Sequence, residues 1–561
     1  MMLLHRWAAV CAVLGVAACG GGGDAGGGGG TAEKAPPGGY KTFAGGPPGG
    51  TLIVLADREP DNLNPLTFDS NPAYQLVHLM FRALARRDST LSGYTPDLLQ
   101  SWQVNGSTVV MKVRPGLRWH DGKPVTAEDV VFTIERQKDE KVGSPRKPDV
   151  EGVTSVRAVD SLTVEATLVR TSPAALNALL EVIPAPKHIL GSVDPGQMRF
   201  HAFNRNPVGN GLYRFGSWEQ NRQVTVNANT EAPEGRPSLD RIVVRNVPEP
   251  SARLTGLLNG EGDLLPRVPA DQRSRIKSTP TVKLHNAPRV RPGWIAWNVS
   301  RPPVDDIRVR QAFLMAVNRP ALVQGLLGTD AEPALSPIPP ALREHSRDAR
   351  PIPYDVAGAG RLLDAAGWRD TNADGIRDKG GRPLTLEVEF SSSDPLRPDM
   401  LVAMQSQVKQ AGINLVLKPM ESTTWVSRLR ARQFQGSFWG WGWGPGVMAP
   451  NAEAIWHSRS IPPAGANFAG YRNPRVDALI DSLLLESDTT RARAMWRTLE
   501  QTAIDDAVYA PIFLDPEFYG VSARYQNVKF RGPEWWEDVI YWSIPTNRRT
   551  ARDRMGAQAK Q

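Results

Sequence analysis

The sequence predicts an α/β protein built as at least two lobes, and two observations carry that reading. Strand-like runs alternate with helical ones: "LTLEVEF" (384–390) leads to "DMLVAMQSQVKQAG", and "INLVLKPM" leads to "TTWVSRLRAR", the order expected of strands crossed by helices. At 561 residues the chain is also longer than one hydrophobic core organises. With 41% apolar and 22% charged residues it has the composition of a globular protein, and no fixed-period repeat points to a solenoid.

Residues 1–19 are of another kind. "MMLLHR" supplies a positive start and "WAAVCAVLGVAA" an apolar run too short to cross a bilayer, the pattern of a secretory signal peptide over 1–18. "VAAC" (Val16–Cys19) resembles the bacterial lipobox, which implies cleavage before Cys19 and a lipid on that cysteine. Cys11 lies in the removed segment, so no thiol is left for a disulfide, a zinc site or a nucleophile. Residues 19–50, beginning "CGGGGDAGGGGG", are Gly- and Pro-rich and read as a flexible tether. The expected location is periplasmic or extracytoplasmic, with the membrane reached only through the lipid anchor.

Along the body, Leu52–Leu55 forms a first strand that runs into a turn-rich loop. "AYQLVHLMFRALAR" (73–86) places Leu76, Leu79, Met80, Ala83 and Leu84 on one helical face. "STVVMKVRPGLRWHDGKPVTAEDVVFTIER" reads as strand, Pro-Gly turn, short strand, Asp-Gly turn and helix, with Thr126 and Asp129 imitating a capping box. "SLTVEATLV" (161–169) and "RQVTVNANT" (222–230) alternate as strands, and "DRIVVRNVP" (240–248) is a more continuous one leading to a helix across "SARLTGLLNGE". After "PGWIAWNVS" (292–300), "DDIRVRQAFLMAVNRPALVQGLL" is a helical pattern interrupted near Arg319-Pro320. "DVAGAGRLLDAAG", "PRVDALIDSLLLES" and "RARAMWRTLEQTAIDDA" are helices, "YAPIFLD" is a strand, and the C-terminal segment is mixed.

The chemistry-bearing candidates are few. The net charge of +8 is scattered rather than clustered, which argues against a nucleic-acid partner. "WHDGK" (119–123) sets an imidazole beside a carboxylate, but Asp-Gly is first a turn signal and no nucleophile accompanies it. No H-E-x-x-H, G-x-S-x-G or P-loop pattern occurs, so neither an enzyme nor a cofactor is expected. In "DTNADGIRDKGG" (370–381), Asp370, Asn372, Asp374 and Gly375 imitate half a calcium loop, but its twelfth position is Gly381. A hairpin turning at Asp-Gly explains the same residues without an ion. In "SFWGWGWGPG" an extended strand would send Trp439, Trp441 and Trp443 to one side with glycines opposite. That is either a stacking platform for a ligand or a heavily packed core strand.

The blocks "LNPLTFDS", "YTPDLLQSWQV", "LRWHDGKPVTAEDVVFTIER", "PVGNGLYRF", "RPPVDDIRVRQAFLMAVNRPALV" and "AGWRDTNADGIRDKGGRPL" occur in an order that resembles one family, the dipeptide/oligopeptide/nickel class of extracytoplasmic solute-binding proteins (family 5) that feed ABC importers. The likeness runs from about Thr51 to about Tyr541. It implies a two-lobed periplasmic-binding-protein-like fold of the class II type, with the ligand enclosed between hinged lobes. Lobe I would comprise 51–291 plus 511–548 with a subdomain inserted near 72–205, lobe II would comprise 292–510, and 549–561 would be a tail. It further implies a monomer that hands a peptide-like solute, or alternatively a carbohydrate or other non-peptide solute, to permease subunits.

In peptide-binding relatives the tryptophan stretch reads G-W-x-x-D, and the aspartate meets the ligand's ammonium. Gly440-Trp441 matches G-W, but the aspartate position falls on Gly444, and residues 422–452 contain no Asp or Glu. The positions that match the family's ligand contacts are Asp69 after L-N-P, Trp425, and Arg432 as a carboxylate receptor. Asn298 matches near the lobe crossover, with a backbone-capping role as its alternative. A secreted hydrolase would need two acids converging in one cleft, and the acid-free 422–452 stretch argues against it.

Overall fold

The computed structural model describes residues 48–88, 93–169, 173–328, 331–392, 397–441, 452–463, 465–486, 488–514, 517–531 and 534–554. Cys19, Trp443 and Gly444 fall outside them.

The first sheet has seven strands in the order Val282–Asn286, Phe518–Ser522, Leu264–Leu265, Thr51–Ala56, Arg241–Asn246, Gln223–Ala228 and Tyr213–Glu219. Its central strands Leu264–Leu265, Thr51–Ala56 and Arg241–Asn246 run parallel, so their carboxyl ends share one edge. "TLIVLA" is apolar without alternation because both faces are covered. Leu52 and Val54 pack with Leu76 and Val77 on one side, while Ile53 and Leu55 pack with Leu254, Leu257 and Ile276 on the other.

The second sheet has six strands: Glu332–Pro333, Tyr509–Leu514, Pro292–Trp297, Gly436–Gly440, Thr385–Ser391 and Asn414–Met420. The last three are parallel. Alternation governs the strand Pro292–Trp297, whose Ile295 and Trp297 enter one core and whose Trp294 and Ala296 enter the core on the opposite face. A third sheet, four antiparallel strands between Leu99 and Leu168, lies within the segment expected as an insertion.

The chain passes between the two large sheets twice, between Asn286 and Pro292 and between Leu514 and Phe518, and the two passages are joined where the Ala287 N–H donates to the Glu517 carbonyl over 2.9 Å. Tyr509–Leu514 belongs to the second sheet, so the expected break at 511 falls inside a strand. Residues 549–554 are not a loose tail: Asp553 is buried and accepts from the Thr51 N–H at 2.9 Å. The described residues all lie in one compact unit, 40–561.

Three local expectations meet informative outcomes. The helix expected over 73–86 is Asn71–Met80 and stops there, because the Met80 carbonyl accepts from Asn210 and Gly211 (3.0 and 2.7 Å) instead of from the next turn. Arg82 then turns inward to Asp97 at 3.0 Å. Thr126 caps Ala127–Lys138 as expected, with its N–H on Asp129 Oδ2 at 2.8 Å. The segment after Asp370 reverses twice: Arg369 pairs antiparallel with Asp378 across the loop holding Asp374-Gly375, and a tight hairpin follows at Gly380-Gly381, with φ of 59° and 71°. Two successive positive φ values are what a tight two-residue hairpin turn requires, and the Gly-Gly pair supplies them without strain.

Candidate functional site

Both large sheets present carboxyl ends toward the two passages. In the first sheet these ends are Ala56, Asn246 and Leu265, with Phe518 entering from the passage beside Leu265. In the second they are Ser391, Met420 and Gly440, with Gly440 opposite Gly293 and Pro292 opposite Leu514. In open α/β sheets the region beyond the strand carboxyl ends is where loops converge on a ligand. A cavity of 300 Å³ opens beside the passages, lined among others by Asn286, Arg289, Glu332, Leu514 and Phe530.

From the second sheet, Gly436–Gly440 delivers Trp439 and Trp441 to this edge. Trp439 is 7% exposed, with Trp294, Phe468 and Tyr509 rings around it at centroid distances of 5.7, 5.3 and 6.4 Å. It fills the core. Trp441, half-buried, meets Trp439 edge-on at 5.7 Å and follows the last strand residue. Trp425 lies on the helix Ser422–Arg430 that starts just past Met420, and its indole N–H donates to Ser437 Oγ at 3.0 Å. Within the tryptophan stretch, therefore, the two readings divide between neighbours: Trp439 packs inside, and Trp441 stands at the edge.

From the first sheet comes Asp69, exposed, in the loop between Thr51–Ala56 and Asn71–Met80. Its N–H donates to Asp61 Oδ2 at 3.0 Å, which fixes the loop. On that helix, Tyr74 meets Trp536 of the C-terminal segment edge-on at 5.6 Å and the His78 ring lies tilted against it at 4.4 Å. Burial pushes the His78 imidazole down to about 3, so it is neutral. Close by, burial raises the Glu537 carboxyl to about 8, with Arg87 opposing and Glu534, Asp538 and Glu181 adding to the rise. Burial likewise raises Glu534 to about 7, helped by Glu517 and opposed by Arg267, Arg291 and Arg87. "EWWED" (534–538), an aromatic pair framed by acids, was the sequence signal for this cluster, hidden in a segment legible only as mixed.

Residues 93–462 match the family described as bacterial extracellular solute-binding proteins, family 5 Middle. The protein belongs to this family. Over 502 residues the chain is 26% identical to the oligopeptide-binding protein AppA of Bacillus subtilis, covering 87% of this chain and 92% of the relative. The structure of AppA in complex with a nonapeptide matches with a TM-score of 0.72 at 26% identity, over 89% of this chain and 100% of that one. The ABC transporter substrate-binding protein CtaP of Listeria monocytogenes matches with a TM-score of 0.77 at 25% identity, over 89% and 99% of the two chains. A candidate ABC transporter peptide-binding protein of Brucella ovis is 27% identical over 473 residues, 83% of this chain and 87% of that one.

The two sheets are thus the two lobes of a family 5 binding fold, and the site belongs to a family that binds solutes outside the cytoplasm. Two sequence candidates stand apart from it. Asn298 and Arg432 adjoin the pair Trp297–Gly436, at the end of the second sheet away from the passages. Asn298 donates to the Arg432 and Phe434 carbonyls at 2.9 and 3.1 Å and accepts from Ser300 Oγ at 2.6 Å. Arg432 donates to the Phe468 carbonyl at 3.1 Å and to Asn298 Oδ1 at 3.1 Å. Both work as braces between loops. "WHDGK" is a turn: the Gly122 N–H closes on the Trp119 carbonyl at 2.8 Å, and the His120 side chain, lowered to about 4 by burial, faces the Gly211 carbonyl at 3.1 Å. Asp374 and Asp378 spend their oxygens on Ile376, Thr371 and Asn372. Among the described residues no cluster of His, Cys, Asp and Glu fits a metal ion.

Proposed function

We propose that the protein is the solute receptor of an ABC importer and that its solute is a peptide. The observation that supports this most is the likeness to AppA, which spans nearly the whole body and, in the structure compared, a chain holding a nonapeptide. The two passages between the sheets act as the hinge, and the lobes close on the solute at their strand carboxyl ends. Lobe I is 51–291 with the returning C-terminal segment and carries the 72–205 insertion; lobe II lies between the passages. Trp441 forms the lobe II wall, with Trp443 and Gly444 assigned to it by their place in the motif, Trp425 supports that wall, and Asp69 faces it from lobe I. Processing at Cys19 and lipidation there hold the body on its Gly-rich leash, and the receptor works as a monomer with permease subunits as partners.

The test is a thermal melt of the protein against a pool of short peptides. A solute at a hundred times its dissociation constant stabilises the folded state by about 2.7 kcal/mol, a clear upward shift. A melt unmoved by any peptide pool but raised by oligosaccharides would overturn the peptide reading.

A further inference from the structure

We infer that the Glu534 carboxylate receives the α-ammonium of the solute in place of the acid missing from residues 422–452; this assignment rests on the solute being a peptide. The buried acids of the described residues give the contrast. Asp97, Asp129, Asp263, Glu344, Glu389, Glu500, Glu517, Asp538 and Asp553 each accept at least one hydrogen bond. Glu534, 2% exposed, accepts none among the described residues, and its Oε1 is sealed from solvent without a donor. An ionised carboxylate so placed is destabilising unless something cationic arrives.

Its place in the fold is the right one. The groups in electrostatic reach are Glu517, which opens the strand of lobe I after the second passage; Arg291, at the end of the first passage; Arg267, just past the carboxyl end Leu265; and Arg87. Glu537 and Tyr519 feel its charge in turn. Arg267 is neutralised by Glu517 at 3.1 Å and Arg87 by Glu181 at 3.1 Å. That leaves the carboxyl groups of Glu534 and Glu537, both held protonated by burial toward neutral pH, with Arg291 at the edge where the lobes meet. A second group is equally unsatisfied: the Trp536 indole N–H, two residues on, is buried without an acceptor. Asp69, the other acid of lobe I at this edge, is exposed and would hold an ammonium only in water.

An empty, buried Glu534 holds its proton up to about pH 7, so a cation that binds it must displace that proton. Affinity should therefore rise as pH passes upward through this range.

The test is calorimetric titration of the full-length protein with a tripeptide library bearing free amino termini, and with the same library N-acetylated, below and above pH 7. The free-amine library should bind, more tightly on the alkaline side and with proton release on the acid side, where empty Glu534 still holds its proton. Glu534→Gln should weaken it roughly tenfold to a hundredfold and flatten the pH dependence, while melting at or above the wild-type temperature, which separates lost affinity from misfolding. Equal affinity of the two libraries for the wild type, or an unchanged affinity in Glu534→Gln, overturns the assignment and leaves the peptide reading standing. So does loss of the free-amine preference in Asp69→Asn but not in Glu534→Gln. Binding of neither library at any pH overturns both.

Discussion

Two buried carboxylates of lobe I, Asp263 and Glu534, live opposite lives. Asp263, fully buried, takes the Arg524 guanidinium at 3.0 and 3.1 Å, Arg552, and the Ile53 N–H at 3.0 Å. Arg524 continues to Asp553 at 2.6 Å, and Asp553 holds the Thr51 N–H. Every carboxylate oxygen there has a donor, and the network stitches the first strand to the end of the chain. Glu534 has no such partners. A saturated buried charge is part of the scaffold; a buried charge left without a donor marks a place kept for something else.

The sharpest way to break that comparison is to remove a member of the saturated network. Asp263→Ala strands two arginines and should cost about 3–5 kcal/mol, read as a large fall in melting temperature. Trp439→Ala, which empties a core position, belongs to the same range, about 3–5 kcal/mol. If either variant lost solute affinity while keeping its melt, the division between scaffold and site would be wrong.

Acid and base should then pull the two regions apart. Burial works to raise Asp553, but the Thr550 and Thr51 amides and Arg524 overcome it and hold the carboxyl below its ordinary 3.8. Its folded value is depressed, so its stabilisation is complete above 3.8 and fades as pH falls through the folded value. Glu534 has the reverse sign. Its folded value is raised, so the folded state binds more protons than the unfolded one between 4.5 and about 7, and stability declines as pH rises through that window. Melting curves of Glu534→Gln should lack much of this decline, and those of Asp553→Asn should lose part of the acid-side fall. A wild-type profile flat from 4.5 to 7 would remove the Glu534 half of the contrast.

Smaller effects sharpen the picture in lobe II. Trp441→Ala should reduce solute affinity with little change in melting temperature, since one face of the ring stands at the strand end; a collapsed melt would move Trp441 into the core beside Trp439. Least of all should calcium matter. Addition of the ion or of a chelator should leave the melt unmoved, because the Asp374 and Asp378 oxygens are already engaged by their own loop.

Most strands and helices were legible because their periodicity is local. Thr51–Ala56, Thr385–Ser391 and Asn414–Met420 carry their burial in their own residues. Helix Asn71–Met80 was overestimated because its end is imposed by Asn210 and Gly211, far away in the chain. The segment 370–383 offered two turn signals, Asp-Gly and Gly-Gly, and the chain uses both: Arg369 pairs with Asp378 across the first and Asp378 with Pro383 across the second. The site was harder still. Arg432 and Asn298 were nominated by their positions in a motif, and strand register sets them at the end of the sheet away from the passages. Glu534 was invisible because what distinguishes it is a missing partner, and absence of a donor is a property of three-dimensional surroundings alone.

The double passage between lobes also dictates an order of assembly. All six strands of lobe II lie between 292 and 514, so that lobe can be completed from one uninterrupted stretch of newly made chain. Lobe I begins at Thr51 yet waits for Phe518–Ser522, Arg524 and Asp553. During synthesis its first strand must stay without its final partners until nearly the whole polypeptide has emerged. A chain that cannot lock early remains threadable, a useful property for a protein whose work lies on the far side of a membrane.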